Sequence, residues 1–472
     1  MRLGVWIPAA ALFFCVLAVG LLFARPAPES YDAQIMFQVT QSMVDHLGFA
    51  VRNDVFGMNS PYSSYGLGMS ALMAPPYWLA ERLSLDPRPW VMSVNAVVVA
   101  AVAAVVYLIG LKTGATSRQS LVAALLTAFG TMLLPYVATG FSEPAVALAI
   151  AIGMLGVQIQ RPALVGAAAG LAMLMRVDSV VLVVPVLAMA AWQAGGRSWG
   201  PPLRFGAALL PAILIAGAYD SLRFGSPWRV GYVGQTFNHP IVAGLYGLLF
   251  SPAAGVFLFV PLLPLALVGM FLAARRMRIL AATALALLAI RLPFYAAWYG
   301  WSAYWVWGPR YLVPAMPVLA IGLLELGRGW PRLNTLVKAG LAAILALSVA
   351  VQVIGAAIAY EHATMFEALK RAHPAVEGPG FVADATLPST QASLDQVDFD
   401  WSLWPIPDEA NDLVQGRYLA SRWLAPTPNI PAVVALVTAA VISLFAAILA
   451  TDRHRDWRLA RRGPVRPTAG QG

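Results

Sequence analysis

The run WVMSVNAVVVAAVAAVVYLIGL, Trp90–Leu111, has no charged residue in 22 positions, and Lys112 follows at once. At about 1.5 Å per residue such a helix covers about 30 Å, the thickness of a bilayer's hydrocarbon core. Similar runs recur along the chain, near residues 4–24, 120–138, 144–160, 163–176, 178–195, 205–221, 252–273, 279–297, 311–327, 337–360 and 429–450. The pair at 163–176 and 178–195 is short because Arg176 interrupts what would be one apolar stretch. The 472 residues are 60% hydrophobic and 11% charged, which excludes a soluble globular protein. The expected fold class is therefore all-α integral membrane, a polytopic helical bundle of about 12 spans.

Charge fixes the orientation. With the N-terminus inside, the connections carrying Lys112/Arg118, Arg161, Arg197/Arg204, Arg275/Arg276/Arg278 and Arg328/Arg332/Lys338 all face the cytoplasm. The tail at 451–472, with Arg453, Arg455, Arg458, Arg461, Arg462 and Arg466, does the same. Most acids fall on the other side, and this bias sets topology. The net charge of +9 is thus a topology signal and gives no support to nucleic-acid binding. Lysine is rare (Lys112, Lys338 and Lys370) and alanine abundant, a composition typical of GC-rich bacterial genomes. The expected location is a bacterial plasma membrane. The single cysteine, Cys15, lies inside the first run, so no disulfide can staple the outer loops. Arg2 precedes that run and Ala24 and Ala27 follow it, as in a signal peptide. Its apolar stretch is longer than a typical signal core, so an uncleaved anchor is expected.

Three outer stretches are long: 25–89, 222–251 and 361–427. In the first, Ile35, Met36, Val39, Met43 and Leu47 recur at helical spacing, with Gln38, Gln41 and Asp45 elsewhere on the cylinder. A second amphipathic helix is expected over about 65–83, around Pro75-Pro76 and Tyr77-Trp78, both helices lying in the interface. The stretch 222–251 is rich in Gly, Pro and aromatics, and 361–427 is polar with Pro and Asp. Neither is long enough for a separate enzyme domain, so any chemistry belongs at the outer membrane face.

Charged residues concentrate on that face. Arg310 ends the run Trp298–Arg310, WYGWSAYWVWGPR, where the aromatics suit the headgroup level and the planar guanidinium suits a phosphate or carboxylate. Snorkelling from a helix end is the plainer explanation. Asp32 opens the first amphipathic helix and Glu143 opens the fourth span beside Pro144; a first-turn acid would account for each. Arg176 and Asp178 occupy a tight outer turn, where a structural ion pair is the alternative. Arg223, Arg229 and His239 decorate the third outer stretch and read, one by one, as solvated. Arg291 lies well inside its span and is expected to face a cavity or another helix. Together, two carboxylates and two or more arginines on one rim imply a charged ligand.

In order and sidedness the chain resembles the GT-C superfamily of glycosyltransferases. The likeness is to the polyprenyl-phosphate-sugar-dependent branch: protein O-mannosyltransferases, lipid A aminoarabinose transferases, and actinobacterial arabinosyl- and mannosyltransferases. It rests on Asp32 in Ser-Tyr-Asp, on Ser64-Tyr65-Gly66-Leu67-Gly68 running to Pro75, and on Glu143 as second outer acid. It also rests on Gly170–Asp178, on Phe250-Ser251-Pro252 with Gly255, and on Trp301 through Gly308-Pro309-Arg310-Tyr311-Leu312. It covers roughly residues 4–330, so a GT-C-like catalytic module over 1–330 is expected. C-terminal spans over 331–450, with the outer loop 361–427, would follow.

The resemblance implies inverting transfer of one sugar, hexosyl or pentosyl, from a polyprenyl-phosphate carrier to an acceptor hydroxyl on an envelope glycan, lipid or protein. It implies Asp32 as catalytic base, with Glu143, Arg176, Arg310, Tyr65 and His239 binding substrate. Many relatives carry adjacent Asp-Glu in the first loop, whereas here Glu29 precedes Asp32 by three positions. With no DxD and no His/carboxylate cluster of ligand spacing, no residue is assigned to a metal and no cofactor is specified. A lipid or polysaccharide transporter would show internal repeats and mid-membrane breaks, which are not evident. An O-antigen-type ligase or polymerase would gather Arg and His in one large loop, whereas 361–427 holds only His362, His373, Lys370, Arg371, Arg417 and Arg422.

Overall fold

The computed structural model describes residues 3–28, 30–51, 61–232, 235–303, 306–358, 398–417, 419–421 and 429–461. Glu29, Tyr304, Trp305, most of 361–427 and the tail beyond 461 lie outside the described residues. Helices α1 (Leu3–Leu22), α2 (Tyr31–His46), α3 (Leu67–Arg82), α4 (Pro87–Met92), α5 (Val94–Lys112), α6 (Ser117–Phe129) and α7 (Glu143–Gln158) come first. Then follow α8 (Pro162–Met175), α9 (Ser179–Leu182), α10 (Val184–Ala194), α11 (Gly200–Phe224), α12 (Ile241–Phe250), α13 (Val256–Phe259), α14 (Leu263–Ala273) and α15 (Arg278–Ala296). The last are α16 (Leu319–Gly329), α17 (Thr335–Ala357), α18 (Pro405–Val414) and α19 (Ile430–Arg461). Among the described residues there is no β-strand beyond two isolated bridges. The protein is an all-α polytopic bundle.

Among the described residues six helical segments are long and apolar enough to cross a membrane: Pro87–Lys112, Gly200–Phe224, Arg278–Ala296, Arg310–Arg332, Thr335–Ala357 and Ile430–Leu449. Six shorter apolar helices accompany them. The expected span 120–138 is different: α6 stops at Phe129, and a turn leads into a 3-10 segment at Pro135–Ala138. Thirteen helical residues reach only about 20 Å. Conversely, the expected loop 222–251 ends in a true helix, α12, whose two glycines let it lie against Ala296 and Trp301.

The two helices of the first outer stretch are present. Ile35, Met36 and Val39 of α2 are buried as their spacing predicts. Leu47 is not on that stripe; it is the left-handed C-cap (φ 52°) and is exposed, because α2 has already ended. Helix α3 runs through Pro75-Pro76 to Arg82 and leaves Trp78, Leu79 and Leu83 at its exposed end. Two buried hydroxyls join α2 to α3: Thr40 donates to the Met36 and Ser70 carbonyls at 2.8 and 3.1 Å, and Ser70 donates to Met36 at 2.9 Å. Their bonds to main-chain oxygens keep polar atoms satisfied in an apolar contact.

One end of the bundle collects the expected inner connections. Gln119 donates to the Gly327 carbonyl (3.0 Å), Arg328 to Thr113 (2.7 Å) and Gln158 to Lys112 (3.2 Å). The candidate charges meet elsewhere, at helix ends of the opposite sense. Core packing depends on backbone approach where α14 meets α16: a Cβ on Gly322 would strike the Ala266 carbonyl. Small residues at such crossings are what hold membrane helices together. Gly322→Ala is therefore expected to lower the melting temperature in detergent, at a cost of about 1–3 kcal/mol for overpacking. Gly340→Ala, where a Cβ meets open space, is the control and should leave melting unchanged or slightly raised. Equal melting of the two variants would remove this crossing from the account.

Candidate active site

Asp32 stands in the first turn of α2, and the helix does not need it as a cap, since the Ser30 side chain accepts from the Ala33 N–H. Its carboxylate is engaged at both oxygens. The Tyr65 hydroxyl donates to Oδ1 at 2.5 Å, and Arg310 Nη2 pairs with Oδ2. Burial, then the adjacent Asp32 charge, pushes the Tyr65 phenol well above its usual range, so it remains a proton donor. The same two causes raise Tyr31 to about 12.

Glu143 opens α7 and is fully buried. One oxygen, Oε1, receives both Arg310 Nε (2.6 Å) and Arg176 Nη1 (2.7 Å). Arg176 spends its other donors on Asp178, at 3.1 Å through Nε and 3.0 Å through Nη2. A single chain of ion pairs thus runs Asp32–Arg310–Glu143–Arg176–Asp178. Snorkelling does not account for Arg310, whose side chain is 8% exposed and inward-paired. Asp32 is the most accessible member, at 16%.

Several residues build this chain that sequence reading did not single out. Asn95, a lone amide in the apolar run of α5, donates to the Thr139 and Phe141 carbonyls at 2.6 and 2.9 Å. That fixes the segment leading into Glu143 and sets the Phe141 ring 3.7 Å from the Arg310 guanidinium, a favourable cation–π contact. Arg310 begins a 3-10 segment, Arg310–Val318, in which Pro314 and Pro317 withhold the amide protons an α-helix would need. Tyr295 stacks on Tyr311 (4.2 Å) and donates to Asp178. Trp301 and Trp307 are wholly buried, so these two belong to the core and not to a headgroup belt.

Arg291 is buried, as its position inside α15 foretold. Its Nη1 donates to the Tyr311 carbonyl at 3.3 Å, while Nε and Nη2 have no hydrogen-bond partner among the described residues. Tyr295, Asp178, Arg176 and Glu143 are its electrostatic neighbours. Three carboxylates and three guanidiniums therefore balance in one site.

Two readings need correction. Arg223 is buried rather than solvated, because it turns inward onto the Ser63–Tyr65 main chain. His239 is also buried, its Nδ1 3.0 Å from the Ala296 carbonyl and its ring against Trp301. Arg229 is exposed, as expected.

The Tyr-Gly-x-Gly segment has a geometric reason. A Cβ at Gly66 or Gly68 would lie 2.5 Å or 2.8 Å from the Leu174 carbonyl oxygen, so only glycine lets this strand of chain abut the end of α8 beside Arg176. Asp32's partner Tyr65 and Glu143's partner Arg176 are thereby held in register.

No protein-family model matches the chain, and no curated protein matches it. Among solved structures, ArnT from Cupriavidus metallidurans bound to undecaprenyl phosphate is similar, with a TM-score of 0.52 at 13% identity over 95% of this chain and 77% of that one. The archaeal oligosaccharyltransferase AglB from Archaeoglobus fulgidus, in complex with an inhibitory peptide and a dolichol-phosphate, gives 0.48 at 10% identity, over 81% of this chain and 60% of AglB. The likeness to ArnT extends over nearly the whole chain and is one of fold.

Proposed function

We propose that the protein transfers one sugar from a polyprenyl-phosphate carrier to an acceptor hydroxyl, with inversion, at the extracytoplasmic face of a bacterial plasma membrane. The observation that carries this reading is the sharing of Arg310 between an accessible carboxylate, Asp32, and a buried one, Glu143. The acceptor oxygen attacks the anomeric carbon as the bond to the carrier phosphate breaks, and its proton passes to Asp32. A general base of this kind contributes about 10²–10⁴-fold. The donor is a phosphodiester with one negative charge; the released carrier monoester gains a second as Asp32 becomes neutral. Net charge in the site is conserved, and Arg310, freed from the neutralised Asp32, turns to the growing charge on the leaving phosphate. Electrostatic stabilisation of that sort acts where charge develops.

Arg176 has all three donor nitrogens committed to carboxylates, which suits it to holding Glu143 in place. Arg291 keeps two donors for an incoming phosphate. Glu143, Tyr65 and His239 complete the substrate-binding set. The acceptor class is an envelope glycan, lipid or protein, and the module occupies residues 1–330.

Binding of undecaprenyl phosphate to the purified protein, followed by native mass spectrometry, tests the phosphate site. Arg310→Lys keeps the charge but cannot bridge two carboxylates and a phosphate with one ammonium, so binding should weaken about tenfold. Arg310→Ala should be worse, and Arg310→Ala with Arg291→Ala less than additive if both meet one phosphate. Unchanged binding in Arg310→Ala would make the arginine a structural brace only.

A further inference from the structure

We infer that Arg223, far from the reacting atoms in sequence and outside the ion-pair chain, is a positioning residue that sets the Tyr65 hydroxyl on Asp32. This rests on the proposed role of Asp32 as base. Arg223 lies at the end of α11 and is 8% exposed. Its Nη1 donates to the Ser63 carbonyl and, at 3.0 Å, to the Tyr65 carbonyl. Its Nη2 pairs with Asp220 one turn back, and its guanidinium lies 3.6 Å from the centre of the Tyr219 ring. Asp220 and Tyr219 therefore fix the guanidinium, and the guanidinium fixes two carbonyls of the loop.

Further contacts hold the loop. The Ser63 hydroxyl accepts from the Tyr65 N–H at 2.9 Å. A Cβ on Gly231 would lie 2.6 Å from Ser64 Cα, so the chain after α11 closes over the loop from one side. Gly66 and Gly68 press the other side against Leu174. Between these walls the main chain at 63–65 sets where the Tyr65 ring emerges toward Asp32, and Arg223 grips that main chain. Its geometry thus reaches Asp32 through Tyr65, and it touches neither carboxylate of the pair Asp32 and Glu143.

The planar fork matters here. One nitrogen serves two carbonyls while another holds Asp220, an arrangement a lysine ammonium cannot reproduce. A donor displaced by about 1 Å from a reacting group costs up to about 100-fold in rate.

The test compares Arg223→Gln, Arg223→Lys, Tyr65→Phe and the double variant Arg223→Gln/Tyr65→Phe in the full chain in detergent. Turnover is read as release of label from a polyprenyl-phosphate sugar, carrier affinity as undecaprenyl phosphate binding, and loop order as amide hydrogen exchange over 63–68. Arg223→Gln should speed exchange at 63–68 and lower kcat by about tenfold or more. Undecaprenyl phosphate affinity should change less than about threefold, because the phosphate donors are elsewhere. Arg223→Lys should recover part of kcat. The double variant should be no slower than Tyr65→Phe alone, since the two act through one hydroxyl. Multiplied effects in the double variant, or exchange at 63–68 that stays at the parent rate, would overturn the inference. If exchange rises while the parent protein consumes no carrier-linked sugar, the proposed function fails and the clamp on Tyr65 stands. A kcat loss matched by an equal loss of carrier binding would make Arg223 a general fold element and would also overturn it.

Discussion

Asp32→Asn is expected to abolish sugar transfer, by about 10²–10⁴-fold, while the protein expresses, folds and binds undecaprenyl phosphate. The substitution preserves shape: an asparagine carbonyl can still accept from Tyr65, so the loop at 63–68 keeps its anchor. What is lost is the proton acceptor and the charge facing Arg310. Arg310 does not become an orphan, because Glu143 holds it through Nε at 2.6 Å. Stability should therefore fall only modestly. Helix capping offers no competing explanation, since Ser30 already caps α2; the remaining dipole contribution of a first-turn acid is about 0.3–1 kcal/mol. Turnover of the purified variant alongside its melting temperature separates the roles. Parent-rate transfer by Asp32→Asn would remove Asp32 as base.

Glu143→Ala should produce the largest loss of stability of any single change in the site. Its Oε1 serves two buried guanidiniums at once, and its side chain is wholly enclosed. Taking one partner from a buried pair leaves an uncompensated charge and costs about 3–5 kcal/mol. Here two cations, Arg176 and Arg310, lose a partner together, and the melting temperature in detergent should fall sharply. Glu143→Gln keeps the volume and one acceptor oxygen and should fall less. Pairing Glu143→Ala with Arg310→Ala should cost less than the sum of the two, because the second change removes a cation the first stranded. A role confined to orienting sugar hydroxyls predicts the opposite pattern, lost transfer with unchanged melting.

The four charges that sequence reading placed on one rim, Asp32, Glu143, Arg176 and Arg310, do meet, joined by direct ion pairs. They were legible because a charge at the end of an apolar run is costly and its side of the membrane follows from the positive-inside pattern. Tyr65 was legible only through its neighbours Gly66 and Gly68. Asn95, Phe141 and Tyr295 were not, since each works through a contact distant in sequence that no periodicity encodes. Asn95 is the instructive case: a buried amide near the start of an apolar run has to find partners, and it finds them on the segment that carries Glu143. Arg223 was misread because an arginine at a helix end is ordinarily solvated. Only the folded chain brings the Ser63 and Tyr65 carbonyls beneath it. His239 shows the reverse lesson, a residue in the right stretch whose observed bond is to a main-chain carbonyl at Ala296. The break at Gly130 escaped notice because apolar composition continues through it while helical hydrogen bonding does not, and α12 escaped notice because it sits inside a stretch read as a Gly- and Pro-rich loop.

The central claim is that this rim consumes a polyprenyl-phosphate-linked sugar. The most direct measurement incubates the purified parent protein and Asp32→Asn side by side with a panel of radiolabelled polyprenyl-phosphate sugars and the producing cell's envelope extract, and follows free polyprenyl phosphate as it is released. The account predicts release from one sugar by the parent, with label appearing on an acceptor in equal amount, and none above background by Asp32→Asn. Release at the same rate by both proteins, or by neither with any sugar in the panel, would contradict it.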